Sequence, residues 1–197
     1  HKDRRDETIR QLIEQYHIDP LQGDRVAQLC KRWLPALEPR MNSDYQEAEK
    51  LLVWAAQLHE LGLAIAHGGY HKNGAYILKN ADLSGFSRQE QARLSMLVLN
   101  HRRKPKSLGI AEYGVTPDWV MISLLRLACL FYRRRQAFEL THDITLQSPE
   151  PDLIELNVPQ SWLDANPLTA ADLCDEAELL AKSVNIQLKI QPQNPKQ

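Results

Sequence analysis

Apolar positions fall into helical periods over the first two thirds of the chain and into alternation near its end. Ile9, Leu12, Ile13 and Tyr16 recur at spacings of three and four, which predicts an amphipathic helix over residues 3–16. Asp19-Pro20 then supplies a cap and a first position for a second helix. That helix is expected to reach about Leu37, with Leu21, Val26, Leu29, Trp33 and Leu37 inward and Pro35 shortening its end. The stretch Leu51–Leu63, LLVWAAQLHELGL, puts Leu51, Leu52, Ala55, Leu58 and Leu61 on one face. A face that wide belongs in a core, and Glu47 and Glu49 ahead of it suit a helix N-terminus. His59 and Glu60 fall inside this predicted helix, and Gly62 lets it end. An ionisable pair on a core helix is costly unless it is paired or does chemistry.

Beyond it, His67-Gly68-Gly69-Tyr70 reads as a turn and residues 71–80 as a short helix. Ser87 with Glu90 three residues later forms a capping box. The helix it opens carries Ala92, Leu94, Leu97, Val98 and His101, and runs into HRRKPK. Pro117 is expected to start a last long apolar helix, which closes on Arg133-Arg134-Arg135. From about Thr141 the period changes. ITLQS and LIELNV alternate as strands do around a PEPD turn, WLDANP is a turn of helix, Thr169–Ser183 a helix and IQLKI a third strand. Gln191–Gln197 is expected to fray. The pattern predicts a mainly α fold: a helical bundle over residues 1–140, then a small α+β subdomain with a short antiparallel sheet over 141–197.

Composition narrows the function classes. A chain of 197 residues that is 43% hydrophobic is not disordered, and no apolar run is long enough to cross a bilayer. Net charge is −1, so anion binding has to come from local patches, and no specific nucleic-acid partner is expected. Cys30, Cys129 and Cys174 are odd in number and unpaired in spacing, which predicts a reducing, cytoplasmic setting. The chain opens on HKDRRDETIR, with no signal peptide, no initiator Met and a helix already under way. More sequence is therefore expected upstream.

The helical part holds four histidines, His59, His67, His71 and His101. His59 with an acidic neighbour, then His71 and a His at the end of a later helix, resembles the HD phosphohydrolase superfamily. That resemblance implies a helical cradle for one or two divalent metals. Its motif positions are altered here: the His-Asp pair is His59-Glu60, the early His is Gln22 before Arg25-Val26-Ala27, and the late Asp after Arg126-Leu127-Ala128 is Cys129. A missing carboxylate removes charge such a metal needs, and Glu for Asp moves the oxygen by a methylene. A degenerate site without metal is the expectation. The alternative is an active metal-dependent phosphohydrolase with the altered ligands His59, Glu60, His71 and His101.

The stretch LLVWAAQLHELGLAIAHGGYHKNGAYILKNADLSGFS, the opening DRRDETIRQLIEQYHID, the HRRK run and the LNVPQSWLDANPL segment are similar to the C-terminal region of the exopolyphosphatase and guanosine pentaphosphate phosphohydrolase (Ppx/GppA) family. The resemblance covers nearly the whole chain. It implies a degenerate HD-like helical domain followed by a small α+β cap. It also implies a catalytic actin-like module upstream, which would supply the magnesium site and hydrolyse terminal phosphoanhydride bonds. This chain has no glycine-rich phosphate loop of its own and is expected not to be catalytic alone. The implied partners are polyphosphate or a guanosine polyphosphate and a second copy of the protein. The residues expected to touch phosphate are His71, Lys72, His101, Arg102, Arg103 and Lys104.

Each feature also has a plainer account. His59-Glu60 fits a buried pair kept by packing better than a pair of metal ligands. His71-Lys72 fits phosphate contact and ordinary helix-start polarity equally. The runs at 101–106 and 133–135 could be solvated helix ends whose cations complement the dipole. A polyanion nevertheless needs several cations in a line, and the first run, just past a helix whose other end carries Arg88 and Arg93, supplies them. A pure assembly module without ligand is the remaining alternative.

Overall fold

Aspartate, proline and serine set the helix starts. The computed structural model describes residues 3–106, 110–135 and 140–194. Helix α1 spans Arg4–Gln15 and is capped by Asp3, whose carboxylate accepts from the Arg5 amide at 3.0 Å. Helix α2, Pro20–Trp33, is capped by Asp19, which accepts from the Leu21 amide at 3.0 Å. Pro35 ends regular α geometry as expected, and the chain tightens into a 3-10 helix over Leu34–Arg40. Helix α3, Tyr45–Leu58, starts at the Asp44 cap. Caps of this kind are each worth about 1 kcal/mol.

Helix α3 stops earlier than its apolar period predicts. Leu58 is its last residue, His59 is the C-cap, and Leu61–Ala64 form a 3-10 turn. His59 and Glu60 therefore sit on a bend and not inside a helix. The reason lies in Gly62. A Cβ there would stand 1.8 Å from the Tyr70 carbonyl oxygen and 2.7 Å from the Gly74 amide nitrogen. The bend brings Gly62 against helix α4, Tyr70–Asn80, at a separation no side chain allows.

Helix α5, Arg88–Leu99, opens on the predicted capping box of Ser87 and Glu90 and ends before His101. After it come a short helix α6, Ile110–Tyr113, and helix α7, Trp119–Phe131. Asp118, not Pro117, starts α7, by accepting from the Met121 amide at 3.1 Å. Helix α7 is buried along almost its whole length, Leu124, Leu125, Leu127 and Ala128 completely. Arg5 clasps α1 to α3 and α5: it reaches Asp3, Glu47 and Glu90 and lies over the Trp54 ring at 4.9 Å.

Three strands follow: β1, Thr145–Gln147; β2, Leu153–Pro159; and β3, Gln187–Gln193. Helices α8, Gln160–Ala165, and α9, Pro167–Val184, lie between β2 and β3. Strands β1 and β2 form the predicted hairpin, with Leu146 opposite Leu156. Strand β3 instead pairs with β2 in parallel, Ile154 opposite Leu188. The sheet is mixed, because the α8–α9 crossover returns the chain to the end where β2 began. Strand β3 also includes Gln191–Gln193, which the sequence assigned to a frayed end; residues 195–197 of that end lie outside the described residues. The fold is mainly α with a small three-stranded sheet. One core runs from Ile9 and Val26 through Leu58 and Leu94 to Ile144, Leu156 and Leu188. Among the described residues no helix is long and apolar enough to cross a membrane.

Candidate functional site

The bend after α3 and the end of α5 bring His59 and His101 together. Their rings meet edge to face with centroids 5.2 Å apart, and both are buried. Each ring bonds the last turn of its own helix: His59 Nδ1 lies 2.5 Å from the Ala56 carbonyl oxygen, and His101 Nδ1 lies 2.6 Å from that of Val98. A carbonyl only accepts, so the proton of each neutral ring is on Nδ1. Burial holds His59 below the usual histidine range. Burial, with repulsion from His59, holds His101 well below it. Both are neutral at pH 7.

Of the other positions compared with the HD motif, Gln22 and Glu60 are engaged in internal bonds. Gln22 donates to the Tyr132 carbonyl oxygen at 2.8 Å. Glu60 accepts from Arg135 at 2.6 Å, and the same guanidinium donates to Asp19 at 2.7 Å. Burial raises the Cys129 thiol to about 12. A divalent ion needs converging carboxylates and free imidazole nitrogens. Here the remaining carboxylate, Glu60, is paired with arginine, the early His position holds Gln22 and the late Asp position holds Cys129. These residues do not fit an HD-type metal centre. Among the described residues, no three His, Cys, Asp or Glu side chains converge as a cation site.

The second face of this region is cationic. Helix α4 begins at Gly69, which holds a left-handed φ of 66° and provides no side-chain cap. The first amides of α4 are thus left with no acceptor from a cap side chain. The space before it is open: a Cβ at Gly68 or Gly69 would meet nothing within 4 Å. His71 stands in the first turn. It is buried, with Nδ1 unpartnered among the described residues. Burial, and then the charges of Arg102, Lys72, Lys106 and Arg103, lower it to about 4. Those four cations therefore lie within electrostatic reach of one imidazole. Arg102 lies over the Tyr70 ring at 4.2 Å; Lys72, Arg103, Lys104 and Lys106 are exposed. None of the five has a carboxylate partner among the described residues.

The expected phosphate residues thus divide in two. Lys72, Arg102, Arg103 and Lys104 lie on the α4 start and the loop beside it, while His71 and His101 are buried, neutral groups behind them. Lys106 and Tyr70 belong to the same place; Lys106 is part of the 101–106 run but not of the expected phosphate residues, and Tyr70, which ends the glycine turn, is not singled out by sequence. His67 is exposed on the approach to α4. The run at 133–135 is otherwise engaged. Arg133 and Arg134 pair with Asp172 at 3.4 and 3.0 Å, and Arg135 with Asp19 and Glu60.

Comparison with known proteins adds two findings. A family model described as Ppx/GppA phosphatase, domain III, matches residues 4–177. A guanosine-5'-triphosphate,3'-diphosphate pyrophosphatase of Pseudoalteromonas atlantica is 36% identical over 177 residues, which is 88% of this chain and 35% of that protein. One of the same name from Pseudoalteromonas translucida is 33% identical over 190 residues, 91% of this chain and 36% of that protein. The chain spans about a third of the length of these curated relatives.

Proposed function

This chain belongs to the Ppx/GppA phosphatase family, and from that membership we propose that it is the polyanion-holding, non-catalytic C-terminal region of a phosphoanhydride hydrolase. In this proposal an upstream module, using magnesium, removes terminal phosphates from polyphosphate or a guanosine polyphosphate. The present chain grips the substrate and supports a homodimer, built as a degenerate HD-like domain over 1–140 and an α+β unit over 141–197. It works in the reducing cytoplasm, in keeping with three free cysteines.

One observation carries the proposal: Lys72, Arg102, Arg103 and Lys106 act electrostatically on His71 at the open start of α4, with no carboxylate to neutralise them among the described residues. Lys104 extends the row. Unpaired cations facing uncapped helix amides favour a ligand with several negative charges. The neutral His71 and His101 shape the floor of the site and add no charge to it.

Sedimentation of the chain with long-chain polyphosphate at two salt concentrations tests this. Binding that weakens steeply with salt is expected, together with self-association. Self-association without polyphosphate binding would leave an assembly module in its place. Turnover of polyphosphate or guanosine pentaphosphate by the purified chain alone would contradict a non-catalytic role.

A further inference from the structure

We propose that Glu176, Arg126 and Asn100 are positioning residues that hold the basic loop 101–106 in shape, so that the α+β end of the chain takes part in forming the anion site. This inference rests on the anion-binding proposal above.

The three residues form one buried series; Asn100 is fully buried and Arg126 and Glu176 nearly so. Glu176, on α9, accepts two bonds from Arg126, at 2.7 Å from Nε and 2.9 Å from an Nη. The other Nη of Arg126, on α7, donates to the Asn100 backbone oxygen at 2.7 Å. Asn100 closes the series. Its side-chain Nδ2 donates to the Met96 carbonyl at 3.0 Å, and its Oδ1 accepts from the Lys106 amide at 2.7 Å.

That last bond ties the end of the loop back to the residue before its start. His101 to Pro105 lie inside a ring closed by one amide. Within it Arg103 holds a φ of 64°, a left-handed conformation that a non-glycine residue keeps only where its surroundings impose it. The imposing contacts are Asn100 and, behind it, the fork of Arg126. A guanidinium makes three such bonds in one plane, which lysine cannot. Glu176 supplies the counter-charge for that guanidinium in the core.

Truncating Glu176 alone would leave a buried charge, so the test uses variants chosen to keep the fold, all in the full chain. R126M/E176L replaces the ion pair with apolar bulk, an exchange that cores tolerate. N100L removes the ring closure directly. R126K keeps the positive charge and loses the fork. Amide exchange across residues 101–106, thermal melting and long-chain polyphosphate affinity at two salt concentrations are measured for each.

All three variants are expected to melt within a few degrees of the parent and to exchange the Lys106 amide faster. Their polyphosphate affinity should fall about tenfold, with a shallower salt dependence. Folded variants with parental exchange in the loop, or with parental affinity and salt slope, overturn the proposal. So does R126K binding like the parent, since charge alone would then suffice. A parent chain that fails to bind polyphosphate overturns the anion-binding proposal only; the exchange rates then decide by themselves whether the three residues hold the loop.

Discussion

Two arginine-rich runs follow two helices of this chain, and they have opposite fates. At 133–135, after α7, each guanidinium finds a carboxylate: Asp172 for Arg133 and Arg134, Asp19 and Glu60 for Arg135. At 101–106, after α5, none does among the described residues, and the charges of Arg102, Arg103 and Lys106 act on His71 instead. In sequence the runs look alike. The difference lies in what the tertiary fold brings opposite them, and it separates arginines that tie elements together from arginines still available to a ligand. A charge run at a helix end carries no function until its counter-charges are known.

The sharpest way to break this comparison is to reverse the available charges. R102E/R103E should lower polyphosphate affinity by about a hundredfold at low salt while melting changes little; titration by sedimentation or fluorescence reads it. R133E/R134E should change affinity by no more than about threefold, because those side chains are already committed. Equal losses in the two doubles would erase the distinction.

Acid gives the next largest effect. His71 is lowered to about 4 by burial and by the same unpaired cations, while in the unfolded chain it titrates near 6.5. Between those values the unfolded chain binds the proton and the folded chain does not. Stability is therefore full above about pH 6.5 and falls as pH drops toward 4, with His71 contributing on the order of 2 kcal/mol. His59 and His101, also lowered, act in the same direction. Urea unfolding at pH 7.5 and pH 5 measures the loss, and His71→Gln should make it smaller. A pH-independent midpoint would contradict the buried, neutral imidazoles.

Smaller effects probe the committed run. Arg135→Ala breaks two ion pairs at the surface and should cost about 1 kcal/mol of stability, read as a shift in denaturation midpoint with little change in ligand affinity. Asp172→Asn would release Arg133 and Arg134 and make the second run resemble the first. Polyphosphate affinity should then rise about two- to threefold.

Local signals in the sequence proved legible wherever the cause was local. Asp19-Pro20 and the Ser87/Glu90 box start their helices where neighbouring backbone amides demand it, and the alternation at 145–158 gives strands. Three features were not legible, each for a long-range reason. Helix α3 ends at Leu58 because Gly62 must meet α4, a contact that apolar periodicity does not encode. Strand β3 runs parallel to β2 because the crossover returns it to the same end, whereas its alternation would suit either direction. Arg135 is spoken for because Asp19 and Glu60 arrive from elsewhere in the chain. The candidate site was half legible. The cations were visible as a run, but the burial of His71 and His101 behind them was not.

Gly62 has a consequence beyond ending a helix. The bend it permits lets one stretch of backbone rest directly on another, with the Tyr70 carbonyl where a methyl group would have to go. The spacing between the histidine bend and the uncapped amides of α4 is thereby set by bare main chain, which cannot rotate away or repack as side chains do. The joint behaves as a fixed shim, and even alanine would wedge it open and move the start of α4 as a block.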